Sequence, residues 1–246
     1  MSVAAFPVLA LESGLMGSWV AVRLADGTLI QASVPVRSSN NEELGLLVQR
    51  VLTEAGLKPA DLQTLVLGAG PGSFTGLRIG FSFTQGLAAA LRIPVIKVPS
   101  LRACARAYLN QAEVLTVMID ARRAESFCAL YERDGAGYLQ VHFEDLILSE
   151  DELWRRVMDL RDSRGVKGQE FCLVTDSEPT LPWRGCHACK PQGLAAALIS
   201  LAGEAHFDIL MTHQLADLRP NYVRAVSAKT IQERIKDSAD RRSGID

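Results

Sequence analysis

The sequence contains no stretch of about 18 consecutive apolar residues, so no part of it reads as a membrane-spanning helix. Positive charge is not in excess either. Lys and Arg total 26 against 28 Asp and Glu, a formal net charge of −2, which excludes a global basic field able to hold a nucleic acid by counterion release. Any RNA contact must then be local or made by a partner. The opening "MSVAAFPVLALESG" lacks a basic stretch followed by an apolar run long enough for export. The five cysteines form an odd, scattered set that fits a reducing compartment, so a cytoplasmic protein is expected.

Histidine is scarce, with four in the chain. Cys186, His187 and Cys189 could chelate, but no second CxxC or HxxxH supplies the fourth ligand of a closed zinc site. No metal is expected, and the stretch reads as a loop with incidental thiols. His142, His206 and His213 lie apart and read as surface or structural residues. No Ser/His/Asp or Cys/His spacing suggests a nucleophile and its base, so no catalytic residue is assigned.

What is abundant is apolar sequence in short runs. Hydrophobic residues make up 48% and charged ones 22% of 246 residues, ample for a core and about right for two domains. Three β-rich runs, 7–12, 18–24 and 28–34, open the chain, the last two joined by a hairpin turn at Asp26 and Gly27. Leu44, Leu47, Val48, Val51, Leu52 and Ala55 then share one helical face, with Asn40 or Asn41 as N-cap and Gly56 ending the helix. A strand at 64–68, a helix at about 75–92, a strand at 94–98 and a helix at 100–110 follow.

The pattern restarts with strands at 114–121, 125–133 and 138–144, and a helix from about 150 whose Ser149 and Glu152 have capping-box spacing. A strand at 171–175 and an Ala/Leu-rich helix at 191–205 complete it. Between the first two of these strands, Asp120, Arg122, Arg123 and Glu125 read as a salt-bridged turn. The expected architecture is α/β: two ribonuclease-H-like lobes in the element order of the actin, sugar-kinase and Hsp70 (ASKHA) superfamily. The N-terminal lobe is expected over 1–110, joined by the C-terminal segment 219–246, and the C-terminal lobe over 111–218. That segment reads as a short extended piece, a mixed-charge helix and a frayed tail.

The stretch "GAGPGSFTGLRIG", residues 68–80, holds the most distinctive pattern. A strand, a glycine turn and a helix start can cradle phosphate. Here, however, "GLR" stands where a P-loop has Gly-Lys-Ser/Thr, and Gly70, Gly72 and Gly76 do not space as a dinucleotide fingerprint. A different pattern is present as well: Gly72, Gly76 and Gly80 recur every four residues, giving the helix one stripe almost without side chains. Such a stripe admits another backbone, from a partner or from the chain's own sheet, and spacing alone favours neither.

Together with "MIDARRAESFCALY" and "PNYVR" near the end, this loop resembles the TsaB (YeaZ) family of bacterial proteins for making threonylcarbamoyladenosine in tRNA. The resemblance implies a non-catalytic partner of the TsaD transferase. With the ATPase TsaE, TsaD modifies adenine 37 of tRNAs reading codons that begin with A. TsaD is a metal enzyme of HxExH type, and no such motif exists here. The resemblance also implies a homodimer when alone, tRNA contact only through the complex, no tightly bound cofactor, and at most weak ATP or ADP at the partner interface. The partner surface is expected from the helices at about 40–55 and 75–92, through Leu44, Leu47, Val48, Gly72, Gly76, Leu77, Gly80, Phe81, Phe83 and Thr84.

Where the family's first strand ends in Asp, Thr and a small residue, this chain has Glu12, Ser13 and Gly14. Glu12 and Ser13, with Gly70, Gly72 and Ser73, are the candidates for residual nucleotide binding. The competing expectation is a stand-alone nucleotide-dependent ASKHA enzyme, a kinase or ATPase.

Overall fold

A computed structural model describes residues 5–35, 42–164, 171–183, 185–204 and 207–223. β1 (Val8–Glu12), β2 (Gly17–Arg23) and β3 (Leu29–Pro35) form an antiparallel meander. Gly27 turns the hairpin at φ +92°, a left-handed conformation that glycine adopts without a Cβ penalty. α1 (Glu42–Glu54), β4 (Thr64–Gly68), α2 (Phe74–Leu91), β5 (Val95–Val98) and α3 (Ser100–Arg106) follow. The second half repeats the order, without a counterpart of α2 among the described residues, as β6 (Val114–Asp120), β7 (Ser126–Arg133), β8 (Leu139–Leu148), α4 (Glu150–Arg164), β9 (Phe171–Thr175), β10 (Cys186–Cys189) and α5 (Leu194–Ala202). β11 (Ile209–Leu210) comes last. Asn40, Asn41 and the helix and tail expected beyond 223 lie outside the described residues.

The strands order as β3-β2-β1-β4-β5 in one sheet and β8-β7-β6-β9-β10 in the other, with the first two pairings antiparallel and the last two parallel in each. This is the doubled ribonuclease-H-like architecture of the ASKHA superfamily. The expected capping box forms: Ser149 N donates to Glu152 Oε2 at 3.0 Å and Glu152 N to Ser149 Oγ at 3.3 Å.

Strand alternation divides the core into three clusters between five layers of helix and sheet. Leu9, Leu11, Val20, Val22, Leu65 and Leu67 face α1 and α2 on the outer side of the first sheet, while Val8, Ala10, Ala21, Val66 and Ile96 face inward. From the second sheet, Leu115, Val117, Ala129 and Tyr131 face the same inner layer, and Val114, Met118, Leu130 and Phe171 face α4. The inner layer is α3 and α5. α5, "LAAALISLA", is apolar throughout, as a helix buried on most sides requires, while α3, "SLRACAR", buries its small residues and leaves Arg102 and Arg106 half-buried.

Helix packing crosses the expected lobe boundary. α3, from the first repeat, packs on β6, β7 and β8, whereas α5, from the second, packs mainly on β1, β2, β4 and β5. β11 adds antiparallel to β5 as a sixth strand of the first sheet. α5 and β11 thus pack with the N-terminal sheet, the apolar helix covering its inner face. "CHAC" is likewise an edge strand and not a loop, β10 pairing parallel with β9.

Candidate functional site

The chain's first turn and its glycine loop meet at the carboxyl ends of β1 and β4, where doubly wound α/β folds bind ligands. Glu12 sits there fully buried. Its Oε1 accepts from Gly14 N at 2.6 Å and Leu15 N at 3.2 Å, and the Ser100 hydroxyl donates to Oε2. Ser100 Oγ in turn accepts from Gly70 N at 2.9 Å, and Ser100 N donates to Gly70 O at 2.9 Å. Burial pushes the Glu12 carboxyl above the ordinary carboxylate range, against the lowering effect of these donors. Gly68 makes room for it: a Cβ there would lie 1.8 Å from Glu12 Oε2.

The glycine stripe is filled just as closely. A Cβ on Gly72 would lie 2.4 Å from Gly14 O, one on Gly76 1.9 Å from Ser13 O, and one on Gly80 2.3 Å from Ser13 Oγ. Ser13 Oγ donates to Gly76 O at 2.8 Å, and Ser73 N donates to Gly14 O at 2.8 Å. The backbone admitted by the stripe is the chain's own β1–β2 turn. Leu44, Leu47, Val48, Leu77, Gly80, Phe81 and Thr84 are buried beneath α1 and α2, and Gly72, Gly76 and Phe83 are half-buried. Of the residues expected to meet a partner, most thus point into the lobe, because the helical face that carries the apolar residues is the face that covers the sheet.

The phosphate cradle is also changed. Ala69 N donates to Val98 O at 2.8 Å, Gly70 N to Ser100 and Ser73 N to Gly14, so three N–H groups of the loop are spent internally. Ser73 caps α2, its hydroxyl accepting from Gly76 N at 3.4 Å. Of the five nucleotide candidates only Ser73 is exposed; Ser13 and Gly72 are half-buried, and Glu12 and Gly70 are buried.

Cys186 and Cys189 fall on opposite faces of β10, Cys186 against the α4 layer and Cys189 against the inner layer. Strand alternation thereby separates the two thiols. Among the described residues no group of three His, Cys, Asp or Glu side chains could hold a metal ion. His142 pairs across strands with Glu132 at 3.0 Å, and His206 lies outside the described residues. The expected turn of salt-bridged residues exists, with Arg122 Nη1 3.2 Å from Asp120 Oδ2.

Sequence reasoning missed Ser100, which looks only like a helix start after Pro99. It also missed a polar network across the two halves. Arg102 grips Glu144 with two hydrogen bonds of 2.9 Å, Tyr131 Oη donates to Glu144 at 2.5 Å, and Asn221 Nδ2 donates to Asp145 Oδ2 at 2.5 Å. Burial, followed by the Glu144 charge, pushes the Asp145 carboxyl up to about 7. A raised folded-state value means that the folded form binds the extra proton, so this group's contribution declines as pH rises from about 4 to about 7. Asp145→Asn, which also tolerates the φ of +56° found there, is expected to flatten that decline. Urea midpoints at pH 4 and pH 8 measure it; equal pH slopes in both proteins would refute the assignment.

Comparison with known proteins follows the same geometry. A YeaZ structure from Pseudomonas aeruginosa superimposes with a TM-score of 0.65 over 87% of this chain and 98% of its own, at 25% identity. The chain is 36% identical over 116 residues to the Escherichia coli tRNA threonylcarbamoyladenosine biosynthesis protein TsaB, covering 46% of this chain and 50% of that one. The Haemophilus influenzae TsaB is 39% identical over 90 residues, 36% of this chain and 38% of that protein. The family model for TsaD, tRNA N6-adenosine threonylcarbamoyltransferase, matches residues 34–159, just over half of the chain. The chain belongs to the TsaD-related TsaB/YeaZ family. The match spans about half the length, or less, of these curated relatives. For a TsaB/YeaZ protein, the glycine loop of this chain is then a packing element joined to the first turn through Glu12.

Proposed function

We propose that the chain is a non-catalytic partner subunit in threonylcarbamoyladenosine formation at position 37 of tRNA, supporting a TsaD-like transferase together with a TsaE-like ATPase. The observation carrying this reading is the internal use of the loop's donors: Gly14 N and Leu15 N go to the buried Glu12 carboxylate, and Ala69 N, Gly70 N and Ser73 N bond within the chain instead of facing a phosphate. No tightly bound cofactor is part of this reading, and tRNA is reached through the complex. The pathway in this reading is that of the TsaB relatives, tRNA threonylcarbamoyladenosine biosynthesis.

The surface offered to the transferase, or to a second copy, is the outward side of α1 and α2. Leu46 stands 62% exposed there, beside Gln49, Arg50 and Thr53. The neighbouring Phe83 ring edge comes 3.8 Å from where a Gly45 Cβ would sit. Leu46→Asp is expected to leave stability within about 0.5 kcal/mol and to weaken association with the transferase at least about tenfold, since a charge would be buried in an apolar contact. Analytical ultracentrifugation and titration with the TsaD-like subunit test this; unchanged association would move the surface elsewhere.

The function itself is tested by reconstitution. The purified chain alone should transfer nothing. A mixture of the TsaD-like and TsaE-like proteins, the threonylcarbamoyl-adenylate synthase, ATP, threonine, bicarbonate and tRNA should modify adenine 37 only when the chain is added. Equal yield without it would defeat the proposal, and turnover of ATP and magnesium by the chain alone would favour the stand-alone enzyme.

A further inference from the structure

A cavity of about 500 Å³ opens beyond the carboxyl ends of β4 and β5, and Glu12 is not among its lining residues. This volume lies within the ordinary range of small-molecule sites. Its walls come from three places: Ala69 and Pro99 just after the two parallel strands, Phe207 and Asp208 just before β11, and the extended segment carrying Arg219, Pro220 and Asn221. Lys97, in the middle of β5, completes it.

The charges in this wall are not matched. Among the described residues neither Lys97 nor Arg219 has a carboxylate within ion-pairing distance, even though Asp208 lines the same cavity. Asp208 is held through its backbone, its carbonyl accepting from Lys97 N at 3.3 Å. The frame is fixed on the other side too. Asn221 N donates to Ala69 O at 2.8 Å, and its side chain is held by Asp145. Phe207 is fixed by the Arg102 guanidinium, 5.4 Å from its ring centre.

We propose that this cavity binds a small organic acid, a phosphate ester or a carboxylate carrying hydroxyl or amino groups. Its acid group lies on Lys97 and Arg219, its hydroxyl or amino donors face Asp208, and its uncharged part rests on Phe207 and Pro99. Two unpaired cations supply charge-assisted hydrogen bonds to the acid, and the single carboxylate accounts for a donor on the ligand. The site shares no residue with the proposed partner surface and does not depend on the proposed role in tRNA modification.

The test uses the full chain with glycerol 3-phosphate and malate as probes, titrated by calorimetry at constant ionic strength and read in parallel from the amide resonances of Ala69 and Asn221. Saturable binding of one probe, weakened at least about tenfold by Lys97→Ala and by Arg219→Ala, is expected; which probe binds tells phosphate from carboxylate. Both residues are at least partly exposed, and an unchanged melting temperature confirms that the variants are folded. Absence of saturable binding by either probe, or binding that both variants leave intact, would overturn the proposal.

Discussion

Gly76→Ala is expected to destabilise the chain by about 3 kcal/mol, the upper end of ordinary overpacking, and to lower the melting temperature by roughly 6–12 °C. The reason is geometric. The added methyl carbon would lie 1.9 Å from Ser13 O, a backbone atom that cannot rotate away, and Ser13 is itself tied to Gly76 O by its hydroxyl. Relief would require α2 to lift from the β1–β2 turn, uncovering Leu77 and Phe81. Gly86→Ala in the same helix is the control, because a Cβ there meets nothing within 4 Å. It should gain up to about 1 kcal/mol from helix propensity alone. Equal melting temperatures for the two variants would show that the stripe does not touch the first turn.

The second large effect is at Glu12. Glu12→Ala removes the acceptor of Gly14 N, Leu15 N and the Ser100 hydroxyl in a fully buried place. Each orphaned donor costs about 1–3 kcal/mol, so a loss of roughly 3–5 kcal/mol is expected once the new cavity is included. Glu12→Gln keeps the shape and the oxygen facing the two amides, and should lose less. The penalty for alanine also has a pH sign. Burial raises the folded-state value of Glu12 above its ordinary 4.5, so wild-type stability from this group falls as pH rises past that point. Denaturant unfolding should therefore show a larger gap between wild type and Glu12→Ala at pH 4.5 than at pH 8. A gap that widens with pH would contradict the burial.

These two variants also show where the sequence could be read and where it could not. The four-residue glycine spacing announces a close approach, and that much was legible. Which backbone approaches was not, because spacing describes one side of a contact only. Gly80→Leu would consequently strike Ser13 Oγ within the chain and report on folding before it reported on any partner. At Glu12 the departure from the family's aspartate was visible, yet its partner Ser100 lies 88 residues away, and no local pattern links the two. The helix α5 was legible as a helix, and its apolar character on every side, Leu194, Ala195, Leu198, Ile199 and Leu201, signalled burial. Its destination depended on which sheet had an uncovered face. β10 was missed because four residues with exposed His187 and Ala188 carry too little apolar pattern to distinguish an edge strand from a loop.

The exchange of α3 and α5 between the two sheets has a consequence for the chain as it is synthesised. β5 ends at Val98, and the helix that covers the inner face of its sheet begins at Leu194. At about 5–20 residues per second, ribosomal synthesis leaves that face bare for roughly 5–20 s. During this interval Val8, Ala10, Val66 and Ile96 have no covering layer except what α3 can provide, and α3 itself awaits the second sheet. The nascent N-terminal half thus exposes an apolar sheet face that its native covering helix reaches only once the second half has emerged.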